Sequence, residues 1–258
     1  MMCLRNNLLQ GIVAASLLLN LNAVQAANID ADVKWSQRVE MSTAVSGTVA
    51  KVNVKAGQRV EKGSLLLALD ATRFAAGLKQ AKAAQRNASF LLAEAKRERE
   101  RAIELYERTV LSDHDLQQAE NLYVSAQAHM AKANADLANA EKDLADSMIR
   151  APFASVIISR HVEVGQTVAS QLQTVPMLTL AATDAYVARG LLTISDLNAL
   201  RAGQKVDVST GGQRYPGEVE QLGMELVDAE KKLYAVEVRF SAGDAVIRAG
   251  QHAILHLP

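Results

Sequence analysis

Cysteine is nearly absent from this chain of 258 residues: the one present, Cys3, stands ahead of an apolar stretch near the N-terminus. Residues 1–26 carry a single charge, Arg5, then an uncharged apolar run from Gly11 to Leu19, then Val24-Gln25-Ala26, whose small residues suit signal-peptidase cleavage after Ala26. This segment reads as a cleavable signal peptide, because the run is shorter than the roughly 20 residues that cross a bilayer and Asn20 and Asn22 interrupt it. Cys3 precedes the apolar run, so it is not placed as the acylated cysteine of a lipoprotein, and cleavage would discard it. The exported chain then has no thiol, which excludes disulfides, thiolate metal sites and cysteine nucleophiles. Stability must come from packing.

Net charge is also missing. The 28 Lys and Arg balance 28 Asp and Glu, and without Arg5 the balance is 27 against 28, a net of −1. Aromatics make up 4% of the chain. Neither supplies the basic footprint of a nucleic-acid partner, so none is expected. Signatures of chemistry are missing too: there is no nucleophile elbow, phosphate loop or zinc motif. The histidines, His114, His129, His161, His252 and His256, share no metal-ligand spacing; His252 and His256, four apart on an apparent strand, read as a chance surface pair. The methionines are scattered and most carboxylates lie among Lys and Arg in a helical stretch, as on a solvated face. The chain is expected to be no enzyme and to hold no cofactor and no metal.

What is there is one short motif written twice. Copy one runs from Gly47 to Val60 and copy two from Ser155 to Val168; in each, a turn glycine, Gly57 or Gly165, lies ten residues after the opening small residue and is followed by Gln-x-Val. Each copy alternates apolar and polar residues around its turn, so neither buries its apolar face alone, and pairing them makes one small sandwich. The chain between them must leave and return to one place.

That intervening chain, Ala71 to Met148, has no Pro, a single Gly, and an abundance of Ala, Leu, Glu, Gln, Lys and Arg, which are strong helix formers. Leu116, Ala119, Tyr123, Ala126, Met130, Ala133, Leu137, Ala140 and Leu144 alternate spacings of three and four, a heptad seam with Ala at every other position. Before it, Ala81, Ala88, Ala95 and Ala102 recur every seven, with Ala84, Leu91 and Leu105 assigned between them and Glu98 as a misfit. The break falls at Thr109 to Asp115, where Ser112-Asp-His-Asp115 is a capping-box pattern. Two antiparallel helices of about 36 residues, roughly 50 Å long, are expected. From Thr183 onward, short strands separated by Ala202-Gly203-Gln204, Thr210-Gly211-Gly212 and Ala249-Gly250-Gln251 predict a small β-barrel, with Ser195 capping one helical turn between them.

In order along the chain, Val45-Ser46-Gly47, Val60-Glu61-Lys62-Gly63-Ser64-Leu65-Leu66, Leu69-Asp70, Ile149-Arg150-Ala151-Pro152-Phe153, Val162-Glu163-Val164-Gly165-Gln166-Thr167-Val168, Ser195-Asp196-Leu197, Leu200 to Val206 and Ile247 to Gln251 resemble a periplasmic adaptor, or membrane fusion protein, of the HlyD/AcrA type. The resemblance implies an elongated α+β fold: a β-barrel domain (27–45 and 181–258), a split lipoyl/biotinyl-like β-sandwich (46–71 and 149–180) and a long antiparallel α-helical coiled-coil hairpin (72–148). One departure is Ala154-Ser155, where the family usually has Asp-Gly.

The same resemblance implies a periplasmic protein, peripheral to the inner membrane. It would link an inner-membrane transporter, of RND or ABC type, to a TolC-type outer-membrane channel, and work as a trimer or hexamer. Short flanks to the barrel leave little for the membrane-proximal domain of RND-class adaptors, which keeps the ABC class open. At the hairpin break, Arg101, Leu105 and Ser112 reproduce the family's Arg, Leu and Ser spacing, and the resemblance assigns them to channel docking. Two alternatives stay open: a lipoyl or biotin carrier subunit, although Asp70-Ala71-Thr72-Arg73 has no lysine, and a periplasmic scaffold or chaperone.

Overall fold

The computed structural model describes residues 27–169, 176–243, 245 and 247–257. The signal-peptide expectation for residues 1–26 lies outside the described residues. In chain order the elements are β1 (Ala27–Trp35), β2 (Arg38–Met41), β3 (Gly47–Val52), β4 (Arg59–Val60), β5 (Leu65–Leu69), α1 (Thr72–Glu107), α2 (Asp113–Asp146), β6 (Met148–Arg150), β7 (Ser155–Arg160), β8 (Thr167–Val168), β9 (Leu178–Ala182), β10 (Tyr186–Leu192), α3 (Ile194–Asn198), β11 (Lys205–Thr210), β12 (Gln213–Asp228), β13 (Leu233–Phe240) and β14 (His252–Leu257).

The strands divide into two four-stranded sheets, β2-β9-β7-β4 and β6-β5-β3-β8, and one closed six-stranded barrel, β1-β10-β13-β12-β11-β14. The duplicated motif folds as two interlocked copies. Gly47 opens copy one and pairs with Val168, which closes copy two; Ser155 opens copy two and pairs with Val60, which closes copy one. The first strand of each copy therefore pairs with the last strand of the other. Their apolar faces meet in one core of Val49, Leu66, Leu67, Leu69, Ile149, Ile157, Leu178 and Leu180, all buried. Strand β9 is buried at every position, and β2 pairs with it from Arg38↔Ala181 to Met41↔Leu178. That pairing corrects one detail of the sequence reading: Arg38–Met41 lies in a sandwich sheet and not in the barrel, because alternation around Val39 and Met41 fits either sheet and only the β9 partner decides.

The glycine turns prove to be a repeated device. At Lys55–Gln58, Glu163–Gln166, Arg201–Gln204 and Arg248–Gln251 the third residue is a glycine with φ of 83°, 89°, 82° and 87° respectively. In every one, the fourth residue's backbone N–H donates to the first residue's carbonyl, as in a type II turn. In every one, too, the glutamine Oε1 accepts from the first residue's N–H, at 3.0 to 3.3 Å. The glycine N–H and the glutamine carbonyl then tie each turn to one residue of a neighbouring strand: Ile157, Val49, Val219 and Val33. Two of these turns staple the sandwich copies to each other and two staple the barrel.

The barrel core holds Val33, Ala188, Val208, Val236, Val238 and Leu255, with the rings of Trp35, Tyr186, Phe240 and Tyr215 in a row at centroid separations of 5.6, 5.8 and 5.7 Å. Thr193, not Ser195, caps α3: its hydroxyl accepts from the Asp196 N–H. Thr193 has the extended backbone that a cap requires, while Ser195 is already helical. Among the described residues no helix is long and apolar enough to cross a membrane.

Candidate functional site

The chain leaves the sandwich from β5, runs out along α1, 36 residues, and returns along α2, 34 residues, to β6, which pairs with β5. The root is fastened at both ends. Leu69 N–H donates to the Ser147 carbonyl at 2.8 Å, Ser147 is fully buried with its hydroxyl on the Leu144 carbonyl, and Phe74 packs into the sandwich core. Asp70 accepts from both the hydroxyl and the amide N–H of Thr72, and these bonds hold its carboxyl below the usual aspartate range. Arg73 reaches the Ser46 carbonyl at 3.0 Å. The root residues 70–73 contain no lysine for a swinging prosthetic group.

The helices pack antiparallel, with Gln85 meeting Asn134 at 3.4 Å and Arg99 meeting Glu120 at 3.9 Å. On α2 the nine residues of the sequence-derived seam are all buried or half-buried, with Ala119, Ala126 and Ala133 deepest. On α1 the seam differs from the expectation. Ala81, Ala88 and Ala102 are buried and Ala95 half-buried, but the positions between them are Gln85, Leu92 and Arg99, while Ala84, Leu91 and Glu98 are exposed. The alanines fix the period but not the side on which the second row lies; the partner helix chooses it. Leu92 takes the place given to Leu91. Arg99 lays its stem in the seam and its guanidinium 5.3 Å from the Tyr123 ring centroid, so Glu98 is no misfit at all.

The tip is a Schellman turn. Val110 N–H donates to the Leu105 carbonyl at 3.0 Å and Thr109 N–H to the Tyr106 carbonyl at 2.8 Å, with Thr109 at φ 60°. This position normally carries glycine, and a β-branched residue there is strained. The Tyr106 hydroxyl bonds to Asp113 at the start of α2, and that carboxylate raises the phenol's pKa above its usual value. Ser112 caps α2: its hydroxyl accepts from Asp115 N–H at 3.2 Å and donates to Asp115 Oδ2 at 2.7 Å.

The three residues assigned to docking are thus within one turn or two of the tip, in different settings. Arg101 is exposed and paired with Glu98 at 2.9 Å. Ser112 is exposed and committed as a cap. Leu105, assigned in the sequence both to the α1 seam and to docking, is half-buried, and its carbonyl anchors the Schellman turn. Among the described residues at the tip, Val110 is the most exposed apolar side chain, at 72%. Sequence reasoning passed over it; its place three residues after the helix end is the signal that could have found it.

The two barrel histidines share the outer side of β14 but have separate partners. His252 Nε2 lies 3.6 Å from Asp30, while His256 contacts Asn28 Oδ1 and Ser209 Oγ at 2.7 Å each. Among the described residues, no group of three or more His, Cys, Asp or Glu is placed to hold a metal ion.

Comparison with known proteins places this geometry. The chain is 27% identical over 171 residues to the cation efflux system protein CzcB of Alcaligenes sp. strain CT14, spanning 64% of this chain and 32% of that protein. It is 28% identical over 225 residues to the nodulation protein NolF of Rhizobium meliloti, spanning 84% of this chain and 59% of that one. The match therefore covers less than two thirds of either relative. In fold it is similar to the membrane fusion protein Spr0693 of Streptococcus pneumoniae (TM-score 0.69, 14% identity, 90% of this chain and 99% of that). It is likewise similar to a MacA-MexA chimera carrying the Pseudomonas aeruginosa MexA alpha-hairpin domain (TM-score 0.64, 23% identity, 89% of this chain and 79% of that). The family model for the CzcB-like barrel-sandwich hybrid domain matches residues 37–177, more than half of the chain, and the chain belongs to that family.

Proposed function

We propose that this protein is a periplasmic adaptor that joins an inner-membrane transporter, of RND or ABC type, to a TolC-type outer-membrane channel, and that it performs no catalysis. The observation that carries this reading is the path of the chain: one sandwich, completed by strands from both sides of a two-helix excursion, holds that excursion by buried backbone bonds at its root. Such a device transmits position from the sandwich to the tip. The reading takes residues 1–26 as a cleaved leader, 72–148 as a coiled-coil hairpin, 46–71 with 149–180 as the lipoyl-like unit, and 27–45 with 181–258 as the barrel unit, β2 excepted.

Channel docking is assigned to the tip, with Arg101 as a forked donor for carbonyls or carboxylates, Val110 as the apolar contact, and Leu105 and Ser112 shaping the turn that presents them. Copies stand side by side as a trimer or hexamer. The test is site-specific cross-linking and export in cells. Arg101→Glu and Val110→Asp should each reduce cross-linking to the channel by about tenfold or more while leaving the fold intact by circular dichroism. Undiminished cross-linking and export in both variants would overturn the tip assignment.

A further inference from the structure

Among the described residues, His256 is the one histidine held at both ring nitrogens. Nδ1 lies 2.7 Å from Asn28 Oδ1, and Nε2 lies 2.7 Å from Ser209 Oγ. An amide oxygen only accepts, so Nδ1 carries the ring proton and donates it to Asn28. Nε2 is left with its lone pair toward the Ser209 hydroxyl, which donates to it. A hydroxyl, a base and a group that orients the base thus stand in the order that activates a serine. They come from three adjacent strands of the barrel, β11, β14 and β1, and are brought together only by its closure.

The neighbours of this chain of bonds suit an electrophile. Asp207 and Ser209, two apart on β11, share the outer face of the barrel. His256 is directly across from Asp207 on β14, and Arg214 is directly across from Ser209 on β12. Arg214 leans toward Asp207, with Nη1 3.7 Å from Oδ2, and one carboxylate at that distance leaves most of the five guanidinium donors unspent. Asp207, Arg214 and His256 line an open cavity of about 910 Å³ whose apolar wall includes Val206, Pro216, Phe240 and Leu257. That volume suits a small molecule. Strand β11 is paired on both sides from Asp207 to Thr210, so its N–H groups are spent in the sheet and no pair of backbone donors stands over Ser209. Arg214 is the donor left for charge that develops on an attacked oxygen.

We propose that Ser209 is an activated nucleophile that accepts an acyl group from an activated ester, with the apolar acyl chain lying in the cavity. Ser209 Oγ bonds to the carbonyl carbon while its proton passes to His256 Nε2. The bond from that carbon to the leaving oxygen breaks, and the leaving oxygen takes the proton from the imidazolium. Arg214 holds the carbonyl oxygen as it gains charge. Without a backbone oxyanion hole the event is one transfer onto the protein and not a turnover. The site uses nothing of the helical arm, and it stands or falls apart from the adaptor reading.

An alkyl fluorophosphonate tests the site, because its adduct is stable: the Oγ–P bond forms, the P–F bond breaks, fluoride leaves and the proton goes to His256. With residues 27–258, peptide mass spectrometry should find the phosphonyl group on Ser209 at about 100 times the rate in the urea-unfolded chain. His256→Ala should remove that advantage, and free imidazole should restore about a third of it or more, which a merely misfolded barrel would not allow. Asn28→Ala and Arg214→Met should each slow labelling by about tenfold at unchanged circular dichroism. With p-nitrophenyl butyrate in place of the probe, the butyryl group should appear on the same serine. The sandwich supplies a comparison within the molecule. Ser159 Oγ lies 2.8 Å from His161 Nε2 and is half-buried like Ser209, but among the described residues nothing orients the other ring nitrogen of His161. Ser159 should therefore label about tenfold more slowly than Ser209, or less. Labelling of the folded chain no faster than of the unfolded one, equal rates at Ser159 and Ser209, or a rate indifferent to His256→Ala would each overturn the proposal.

Discussion

Gly57, Gly165, Gly203 and Gly250 occupy one turn in four places, which permits a matched perturbation. At all four φ lies between 82° and 89°, and an added Cβ would meet nothing within 4 Å at Gly57, Gly165 and Gly250 and only Glu218 Oε1, at 3.6 Å, at Gly203. The cost of Gly→Ala is therefore conformational: the left-handed region penalises an L-residue by about 1–2 kcal/mol, and loss of unfolded-chain freedom returns about 0.4–1 kcal/mol of it. A net destabilisation near 1 kcal/mol is expected at each site, smaller for Gly→Asn, because asparagine tolerates this region. Gly217→Ala is the contrasting control. Its Cβ would fall 2.8 Å from Val238 Cγ1 and 3.1 and 3.2 Å from two backbone oxygens, so its cost is steric and should reach about 2–3 kcal/mol whatever the replacement. Urea unfolding of residues 27–258 measures both, with fluorescence of the single tryptophan, Trp35 at the barrel end, reporting Gly203, Gly217 and Gly250, and circular dichroism reporting the sandwich pair. Equal costs for Ala and Asn, or costs at Gly57 and Gly165 differing by more than about 1 kcal/mol, would refute the argument that these turns are one conformational device.

Three further outcomes are expected. Ser155 is fully buried and its hydroxyl has no partner among the described residues, so Ser155→Ala should stabilise the chain by about 1 kcal/mol, read as a raised urea midpoint at unchanged slope. Thr109→Gly should relieve the left-handed strain at the tip, raising the stability of the hairpin by about 1 kcal/mol in amide hydrogen exchange of residues 105–116. Asp70 has a depressed folded pKa, so its bonds to Thr72 stabilise fully above the ordinary aspartate pKa and are lost as pH falls through the folded value. Thermal melts of wild type and Asp70→Asn from pH 6 down to pH 2 should therefore converge at the acid end; a constant difference would show that the Thr72 bonds do not carry the effect.

The amount legible in the sequence follows from how local each signal is. The twin motif showed that its two copies must pair, because two half-buried segments with the same turn have few ways to cover one another; the register, Gly47↔Val168 with Ser155↔Val60, is seen only in the fold. The α2 seam was complete in the sequence because Leu, Ala, Tyr and Met mark it at every step. The α1 seam was not, since Gln85 and Arg99 are polar residues whose stems or amides face the partner, and no pattern of apolar residues reveals them. At the tip, the sequence assigned Leu105 both to the α1 seam and to docking, and its half-buried side chain fits the seam. Its exposure depends on where the chain goes after Glu107, and that is decided by the three residues of the Schellman turn. Likewise the glycine-glutamine signal was plain in the sequence, whereas the closure of the glutamine side chain onto the turn's own first N–H is a matter of rotamer.

The same closure explains how a chain without disulfides can hold a long excursion steady. A glutamine that accepts from its own turn satisfies the turn's first N–H, and the adjacent glycine and glutamine backbones bond to a residue in a neighbouring strand. In the sandwich those residues are Ile157 and Val49, one from each copy, so the turn of copy one is fixed on copy two and the reverse. The strands leading to α1 and from α2, β5 and β6, pair with each other, and β5 pairs with β3 of copy one. Tilting the helical arm at its root must then disturb both copies together, not one strand at a time. Rigidity at the root is a property of the interlock, and it survives the loss of any one of the exposed ion pairs along α1 and α2, each worth only a few tenths of a kcal/mol.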